Sequence, residues 1–495
     1  MLLFAWMAVR FWHPYYGFTR LLQFDEAAAR VMLPKLRGQP IFLNAGENGY
    51  DGLYYAQLAA TPTLQDPGLE RAIDAPAYRG RRMLLGWIAS GLALGEPGRA
   101  VQVYAGLNLV LWFCLAALLW RALPPGDGRA TFAWAGLLFS AGLLHCVRLS
   151  LTDQLALVLL LLAWGRVEKG RILAAGFCLG LAALARETAL LGVVMLIPAP
   201  GRGGRKSVPA ALAAGAPLAL WLGYLQWRFG PGEPGLGNLT WPLLGWIRKW
   251  WLELPDLASD NYRWLATTTL LAQAGLTVQA AWLLWRRDWN AAAWRLGAGF
   301  VALMALLGQA VWEGHPGAAT RVLLPLTAAF NLTAVRGRAR WGWLAAGNLG
   351  VFAGVLALWH VPQNPRELTA GRMAGGAWVA LADAGWHDRE SDGRHTWAWS
   401  AQGGVINLSR WPKSDETTGL RCGLRAPSAR PVEIRQGARV LWRGEAGEKR
   451  QEISFAGVEF REGRASLEFV SPARPATVEG DSRPLGLAVY DVEPR

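Results

Sequence analysis

The most chemically distinctive segment of the chain runs from Gly49 to Ala59 and reads GYDGLYYAQLA. We expect its carboxylate, Asp51, to act as a general base, because a carboxylate beside a hydroxyl group can take its proton and speed a reaction by roughly 10² to 10⁴. The structural alternative is a helix N-cap, since an aspartate directly before residues 52–59 suits that role. One residue can fill both roles.

Other polar and aromatic side chains are candidates for substrate binding. Near Asp51 they are Tyr50, Tyr54, Tyr55, Asp74, Tyr78, Arg79 and Arg82. At the ends of apolar runs farther along the chain they are Asp153, Arg186, Glu187, Glu313 and Arg321. Arginines in such places can stabilise negative charge that grows on a leaving phosphate. Charges at the boundary of a membrane are costly, which favours a function for Arg186 and Arg321.

Three of these charged residues also have structural alternatives. Arg321 is either a phosphate ligand or an interface anchor whose long side chain snorkels to water. Arg186 is either a phosphate ligand or the ion-pair partner of the adjacent Glu187. Asp153 could contact substrate hydroxyl groups, but we favour the role of a cap for the helix that starts there.

Two further acidic groups compete with Asp51 or suggest a metal. Asp25 and Glu26 follow the first apolar segment and form the alternative catalytic pair. Glu313 and His315 lie shortly before Arg321, but two ligand types without a third are weak evidence for a metal site. We therefore assign no metal and no required cofactor, and leave a helper divalent cation open.

Long apolar runs must position these residues. They recur from residue 100 to about 360, and each is near the ~20 residues that a helix needs to cross ~30 Å of hydrocarbon. The pattern predicts a polytopic α-helical membrane protein with about eleven spans. A weaker apolar segment, Met1 to Phe11, is interrupted by Arg10 and is short for a crossing; we interpret it as an anchor whose start codon is open to reassignment.

Charge alternates between the connections of these apolar runs. Basic connections, which should be cytoplasmic, contain Arg121, Arg129, Arg166, Lys169, Arg171, Arg202, Arg205, Lys206, Arg286, Arg287, Arg295, Arg336, Arg338 and Arg340. The acidic or mixed connections should face outward, and they include the candidate site residues. Residues 25–99 form a large first outer loop, in which the apolar stretch from Met83 to Gly95 is too short to span and should lie at the interface or re-enter the membrane.

The overall composition fits a membrane domain followed by a polar one. The net charge of +14 is explained by the basic connections, which makes nucleic-acid binding unnecessary. The mean hydropathy of only +0.18 reflects a polar C-terminal region. The spacing of Cys114, Cys146, Cys178 and Cys422 indicates neither a disulfide framework nor a metal site.

Residues 370–495 carry short alternating runs separated by Gly, Pro and Asp turns, a pattern typical of an all-β sandwich. The sequence thus divides into a membrane domain, 1–365, and an extracytoplasmic β-sandwich, 370–495, which we expect to be an accessory domain without catalysis of its own. The tryptophans of the second region could stack on sugars, but core packing is the favoured role for most of them; they are Trp386, Trp397, Trp399, Trp411 and Trp442.

The motif around Asp51 resembles the first outer loop of the GT-C class of membrane glycosyltransferases, which use polyprenyl-phosphate sugars. It is similar to a bacterial group with Gly-Tyr-Asp-Gly-Gln-Phe-Tyr followed by Asp-x-Pro-x-Tyr-Arg, although Leu53 stands where that group has glutamine. The segments that begin at Leu151, Ala185 and Arg321 match the same group in the same order, so the resemblance covers most of the chain.

The resemblance implies an inverting enzyme of the bacterial cytoplasmic membrane. It would move a sugar from a polyprenyl-phosphate donor to a glycan, lipid or protein acceptor on the outer side, with Asp51 as base. In the aminoarabinose and protein mannosyl transferases of this class the catalytic Asp-Glu has a place similar to that of Asp25 and Glu26. A transporter or flippase of lipid-linked sugars, or a non-catalytic assembly partner, is the alternative.

Overall fold

The computed structural model describes residues 1–46, 49–124, 126–198, 206–232, 236–373, 375–478 and 481–495. The chain divides into two compact units. The first consists of Met1–Phe11, Phe18–Gln39 and Gly46–Val361, and the second of Trp12–Gly17, Pro40–Ala45 and Pro362–Arg495. Arg202 and Arg205, which we predict to lie in a cytoplasmic connection, fall outside the described residues.

The first unit is helical. Its α-helices are α1 (Leu2–Val9), α2 (Glu26–Val31), α3 (Asp51–Ala60), α4 (Leu69–Ala72), α5 (Pro76–Arg79), α6 (Leu84–Leu92), α7 (Pro97–Ala122), α8 (Gly128–Leu138), α9 (Ala141–Arg148), α10 (Asp153–Glu168), α11 (Ile172–Ala185), α12 (Ser207–Phe229), α13 (Leu244–Glu253), α14 (Arg263–Arg286), α15 (Ala292–Leu306), α16 (Gln309–Trp312), α17 (Ala319–Val322), α18 (Leu324–Arg336), α19 (Trp341–Gly347) and α20 (Val351–Ala357). Its 3-10 helices are Thr19–Leu21, Pro34–Leu36, Gly80–Arg82, Glu187–Leu196, Leu236–Asn238 and Pro255–Ala258.

Two of these helices are long and apolar enough to cross a membrane, namely α7 with 26 residues and α12 with 23. The pair α8 and α9, bent by 40°, is a third candidate. The expected count of about eleven spans is therefore not reproduced by the described residues. The composition of an apolar run does not determine helix length, and several runs are divided into helices of 10–17 residues.

The entry into α7 shows how the sequence ends one helix and starts the next. The apolar stretch that begins at Met83 forms the short α6, and Gly95 then takes a left-handed conformation with φ of 77°. Pro97 occupies the first turn of α7, where its missing N–H costs nothing. The Glu96 side chain caps the helix by accepting from the backbone N–H groups of Gly98 and Arg99. The stretch is thus too short to span, as its length predicts.

Small residues bring α11 and α12 close together. A Cβ atom on Gly176 would lie 2.3 Å from the carbonyl oxygen of Ala210, and one on Gly180 would lie 2.6 Å from that of Ala213. Such contacts let two helix backbones approach closely. They fix the C-terminal end of α11, which is where the candidate residues Arg186 and Glu187 follow.

The second unit is a β-sandwich-like arrangement, as its alternating sequence predicts. Its strands are β1 (Glu367–Met373), β2 (Gly376–Ala382), β3 (Glu390–Ser391), β4 (Thr396–Ser400), β5 (Gly403–Trp411), β6 (Glu416–Arg425), β7 (Arg430–Gln436), β8 (Arg439–Ala446), β9 (Gln451–Phe460), β10 (Arg464–Val470), β11 (Ala476–Val478), β12 (Asp481–Leu485) and β13 (Leu487–Pro494). One sheet has the order β1-β2-β5-β10-β7-β8 and another β3-β4-β13-β6-β9, while β11 and β12 pair with each other.

The inward-facing residues of the two larger sheets form one hydrophobic core. In β10, for example, Ala465, Leu467 and Phe469 are buried while the residues between them are exposed. Four of the five C-terminal tryptophans pack against hydrophobic clusters, one of them buried and three partly buried, which agrees with the favoured role. Trp386 and Trp442 pack against the main core cluster, and Trp397 and Trp399 belong to a smaller one.

Two short N-terminal segments also belong to the second unit. The sequence did not predict their place there. His13 Nε2 lies 3.0 Å from Glu367 Oε1 in a buried pair. Tyr16 and Phe42 pack with Val379 in a small hydrophobic cluster. The division of the sequence at residues 365 and 370 therefore leaves out residues 12–17 and 40–45, whose own composition carries no sign of a β-sandwich.

Candidate active site

A cavity of about 680 Å³ lies in the first unit and combines charged and apolar walls. Its polar lining is Tyr50, Asp51, Tyr78, Arg79, Arg81, Arg82, Arg186, Glu187, Thr188, Asn238, Glu313 and Arg321. Its apolar lining includes Leu190, Leu191, Leu239, Leu303, Leu307, Val311 and Val322. The cavity therefore joins residues that are far apart in the sequence, and Asp51 is its central carboxylate.

Asp51 is held in place by the packing of the residues around it. Gly52 follows it, and a Cβ atom there would lie 2.2 Å from the carbonyl oxygen of Leu149, so a glycine is required. The Asp25 carboxylate accepts a hydrogen bond from the backbone N–H of Gly49 at 2.7 Å, and another from Ala28 at 2.7 Å. These contacts fix the backbone directly before and after Asp51.

The same contacts give Asp25 a structural role. Both of its carboxylate oxygens accept from backbone N–H groups, which caps α2 and ties it to Gly49. Glu26 follows in the first turn of α2. Neither residue is among the described residues that line the cavity. Of the alternative catalytic pair, Asp25 thus supports the backbone that leads into Asp51.

Two arginines hold the Asp51 carboxylate. Arg79 Nη1 donates to Oδ1 at 2.6 Å, and Arg321 Nη2 donates to Oδ2 at 3.1 Å. The side chain makes no capping hydrogen bond with α3, which begins at Asp51 itself, so the N-cap interpretation is wrong. Burial acts to raise the pKa of Asp51, but Arg321 and Arg79 outweigh it and lower the pKa to about 2.

Asp153 lies behind this pair and contacts two arginines. The residue is 4% exposed, with Arg186 Nη1 3.3 Å from its Oδ1 and Arg321 Nη1 3.5 Å from its Oδ2. It begins α10 without a side-chain capping bond, so the capping role that we favoured is wrong here too. Arg321 thus connects the two carboxylates and is 7% exposed, which is not the position of a snorkelling anchor.

Glu187 pairs with Arg82 and not with its neighbour Arg186. Arg82 donates through Nε at 2.9 Å and through Nη2 at 2.6 Å, in a bidentate pair. The same guanidinium donates to the hydroxyl groups of Tyr55 and Tyr78, at 2.6 Å and 3.0 Å. The expected ion pair between Arg186 and Glu187 is therefore wrong, because residues 186 and 187 point to different partners.

The other predicted residues lie around these pairs. Asp74 accepts two hydrogen bonds from Arg79, at 2.7 Å and 2.9 Å, and the Arg79 guanidinium lies 4.3 Å from the ring centre of Tyr54. Tyr50 Oη is 3.4 Å from Arg321 Nη2. Tyr54, Tyr55, Asp74 and Asp153 are not among the cavity-lining residues, so they support the arginines from behind.

A possible cation-binding group lies elsewhere in the first unit. Ligand atoms of Glu253, Asp256 and His315 lie within 4.8 Å of one another. Lys249 Nζ contacts the other oxygen of Glu253 and the carbonyl oxygen of Gly314, so one carboxylate oxygen is already neutralised. The partners of His315 are therefore Glu253 and Asp256, and Glu313, which the sequence paired with it, is not in this group.

Comparisons with known proteins give no family. No family model matches the chain, and no curated protein matches it. Among solved structures, a family 29 carbohydrate binding module is similar to 26% of this chain over 82% of its own, at 11% identity and a TM-score of 0.16. A mutant of such a module in complex with cellulohexaose is similar to 27% of this chain over 86% of its own, at 11% identity and a TM-score of 0.16. Likenesses this weak carry no argument about function.

The sequence did not identify the apolar half of the cavity. Leu190 and Leu191 directly follow the Arg186–Glu187 motif, and that closeness is a signal that was available. Leu303 and Leu307 come from the end of α15, more than a hundred residues later, and no local pattern marks them. Asn238, whose side-chain amide donates to Tyr78 Oη at 3.3 Å, also has no signal in the sequence.

Proposed function

We propose that this protein is a GT-C-type membrane glycosyltransferase. It transfers a sugar from a polyprenyl-phosphate donor to an acceptor hydroxyl group on the outer side of the bacterial cytoplasmic membrane. The observation that carries the proposal is the Asp51 carboxylate between Arg79 and Arg321, at a cavity with apolar walls. A base, a set of phosphate ligands and a surface for a hydrocarbon chain are what such a reaction requires.

The chemistry is a single displacement with inversion. The acceptor oxygen forms a bond to the anomeric carbon while the bond from that carbon to the phosphate oxygen breaks. The proton of the acceptor passes to Asp51, and the electron pair of the broken bond stays on the phosphate. Guanidinium groups are well matched to that charge, because they donate two hydrogen bonds in a fixed plane to phosphate oxygens. Arg79 and Arg321 are the phosphate ligands in this mechanism, with Arg186 behind them.

The apolar wall supports a lipid donor in place of a soluble nucleotide sugar. Leu190, Leu191 and Leu303 line the cavity beside the arginines. A polyprenyl chain leaving the phosphate would bury apolar surface against such a wall, at about 25 cal/mol per Å². A soluble donor would gain nothing from these side chains.

Exposed apolar residues support a membrane location. Four tryptophans in or beside the connection between α12 and α14 are largely exposed, namely Trp227, Trp241, Trp251 and Trp264 at 75%, 81%, 70% and 76%. Another group lies beside the basic connections, namely Trp120, Trp285, Trp289 and Trp341. Tryptophan is enriched at both membrane interfaces. Between the two groups, Leu220 and Leu212 of α12 are 77% and 67% exposed, which suits contact with lipid.

The test is transfer by the full-length protein in lipid nanodiscs. A panel of polyprenyl-phosphate sugars would be supplied as donors, with release of polyprenyl phosphate as the readout. We expect turnover of at least one donor that is lost in Asp51→Asn and kept in Asp260→Asn, because the Asp260 side chain is 95% exposed. Movement of the lipid across the bilayer without release of polyprenyl phosphate would instead favour the flippase alternative.

A further inference from the structure

Four of the arginines that line the cavity are already paired with carboxylates. Arg79, Arg82, Arg186 and Arg321 each contact a carboxylate, and those carboxylates are Asp51, Asp74, Asp153 and Glu187. A phosphate that binds to any of these four guanidinium groups therefore competes with a carboxylate. The mechanism of the site depends on which ion pair breaks when a phosphate binds.

The Arg82–Glu187 ion pair should be the hardest of these pairs to break. Its two hydrogen bonds form a bidentate contact, and the hydroxyl groups of Tyr55 and Tyr78 accept from the same guanidinium. The Arg82 side chain is only 4% exposed. Separating this pair would leave the buried Arg82 guanidinium without a carboxylate, which is costly for a charged group.

The pairs of Asp51 differ in two ways. Each of its oxygens accepts one hydrogen bond, and the two bonds come from different arginines. Moreover, Arg79 and Arg321 each have a second carboxylate that holds them from behind, Asp74 for the first and Asp153 for the second. Both arginines can therefore leave Asp51 while they stay anchored.

We infer that Asp51 and the phosphate of the donor compete for the same two guanidinium groups, so that phosphate binding displaces Asp51 from Arg79 and Arg321. The inference rests on the proposed function for its ligand, a phosphate ester of a lipid. The displaced carboxylate is the one that must accept a proton from the acceptor. Donor binding thereby converts a poor base into a better one at the moment when it is needed.

The acidity of Asp51 supports this order of events. With both arginines in place its pKa is lowered from 3.8 to about 2. A carboxylate that acidic has little affinity for a proton, and general-base efficiency falls with the basicity of the group. The same shift means that the proton affinity of Asp51 is roughly 60-fold lower than that of an ordinary aspartate.

The experiment measures binding without turnover. Full-length wild-type, Asp51→Asn, Asp51→Ala and Asp74→Asn proteins in nanodiscs would be titrated with sugar-free polyprenyl phosphate at pH 7, and separately with inorganic phosphate. Removal of the competitor should tighten binding of polyprenyl phosphate to both Asp51 variants by about tenfold or more, because one hydrogen bond to a charged group is worth a factor of about ten. If the site recognises the phosphate headgroup alone, inorganic phosphate should also bind the Asp51 variants more tightly than the wild type, but with weaker affinity than the lipid. If inorganic phosphate binds more tightly and polyprenyl phosphate does not bind at all, the ligand is not a lipid phosphate.

Asp74→Asn is the matched control. It also removes one negative charge that contacts Arg79, so a general electrostatic effect would tighten binding in Asp74→Asn as much as in Asp51→Asn. Competition predicts no gain for Asp74→Asn, because Asp74 anchors Arg79 and is not among the cavity-lining residues. Equal gains in the two variants, or unchanged or weaker binding in both Asp51 variants, would overturn the inference.

The outcome is separable from that of the proposed function. If the protein transfers sugar but the Asp51 variants do not bind phosphate more tightly, the proposed function stands and the competition is refuted. If the Asp51 variants bind phosphate more tightly but the protein transfers no sugar, the competition stands and the proposed function is refuted. No binding of polyprenyl phosphate by any of the variants would remove both.

Discussion

Replacing Asp51 by asparagine should lower both the activity and the stability of the protein. The variant keeps the size of the side chain but cannot take a proton, so transfer should fall by roughly 10² to 10⁴. From the sequence, where Asp51 suits a helix N-cap, one would expect stability to be nearly unchanged, because asparagine caps almost as well as aspartate. The structure leads to a different expectation, since Asp51 makes no capping bond and instead pairs with Arg79 and Arg321.

The size of the stability loss follows from the pKa of Asp51. A fall from 3.8 to about 2 corresponds to about 2 kcal/mol of stability at neutral pH. Because the folded-state pKa is the lower one, this contribution is fully present above pH 3.8 and is lost as the pH falls towards 2. The difference between wild type and variant should therefore be about 2 kcal/mol at pH 7 and should shrink in that acidic window.

The assay is thermal unfolding in nanodiscs at pH 7, alongside initial rates of transfer. Asp260→Asn serves as the control for loss of a negative charge, because that side chain is almost fully exposed. An Asp51→Asn protein that melts like the wild type at pH 7 would refute the ion pairs as a source of stability. Wild-type rates in the same variant would refute the role of Asp51 as base.

Three further outcomes test other parts of the interpretation. Arg321→Ala should impair use of the donor more than use of the acceptor in steady-state kinetics, and equal loss in both would indicate a structural role. Reporter fusions after Arg338 should be cytoplasmic and fusions at Arg495 external; a cytoplasmic Arg495 would overturn the assigned sidedness. His13→Ala should lower the unfolding free energy of the second unit by roughly 1 to 3 kcal/mol, because it removes a buried partner of Glu367; an unchanged melt would contradict that pair.

The sequence identified most of the charged residues that line the cavity, but it did not show which of them form ion pairs with one another. Asp51, Arg79 and Arg82 lie in one loop whose residue types suggested chemistry on their own. Their partners Glu187 and Arg321 are more than a hundred residues away, and pairing over such distances depends on how the helices pack. Local rules therefore favoured local partners, such as the helix cap for Asp51, and those were the interpretations that failed.

The same dependence on long-range packing explains why the bounds of the helices were not predicted. Hydropathy identifies apolar runs, but the breaks within them depend on residues such as Arg186, whose extended backbone ends α11 and starts a 3-10 helix. Period-two alternation is a stronger local signal, which is why the β-sandwich was predicted; in Arg464–Val470, for example, buried and exposed residues alternate. Residues 12–17 join that sandwich only through tertiary contacts, so no pattern in the sequence announced them.

The geometry of α10 relates the cavity to the sidedness of the chain. This helix begins at Asp153, beside Arg321, and has 16 residues. At 1.5 Å per residue its other end lies about 24 Å away, where Arg166 and Lys169 form one of the basic connections. If those cations are cytoplasmic, as the charge rule requires, the cavity opens near the opposite interface, where a lipid-linked sugar that has been moved outward would be presented. A topology experiment on the connection at Lys169 therefore tests the position of the active site as well, and an external Lys169 would place Asp51 on the side where the proposed donor is absent.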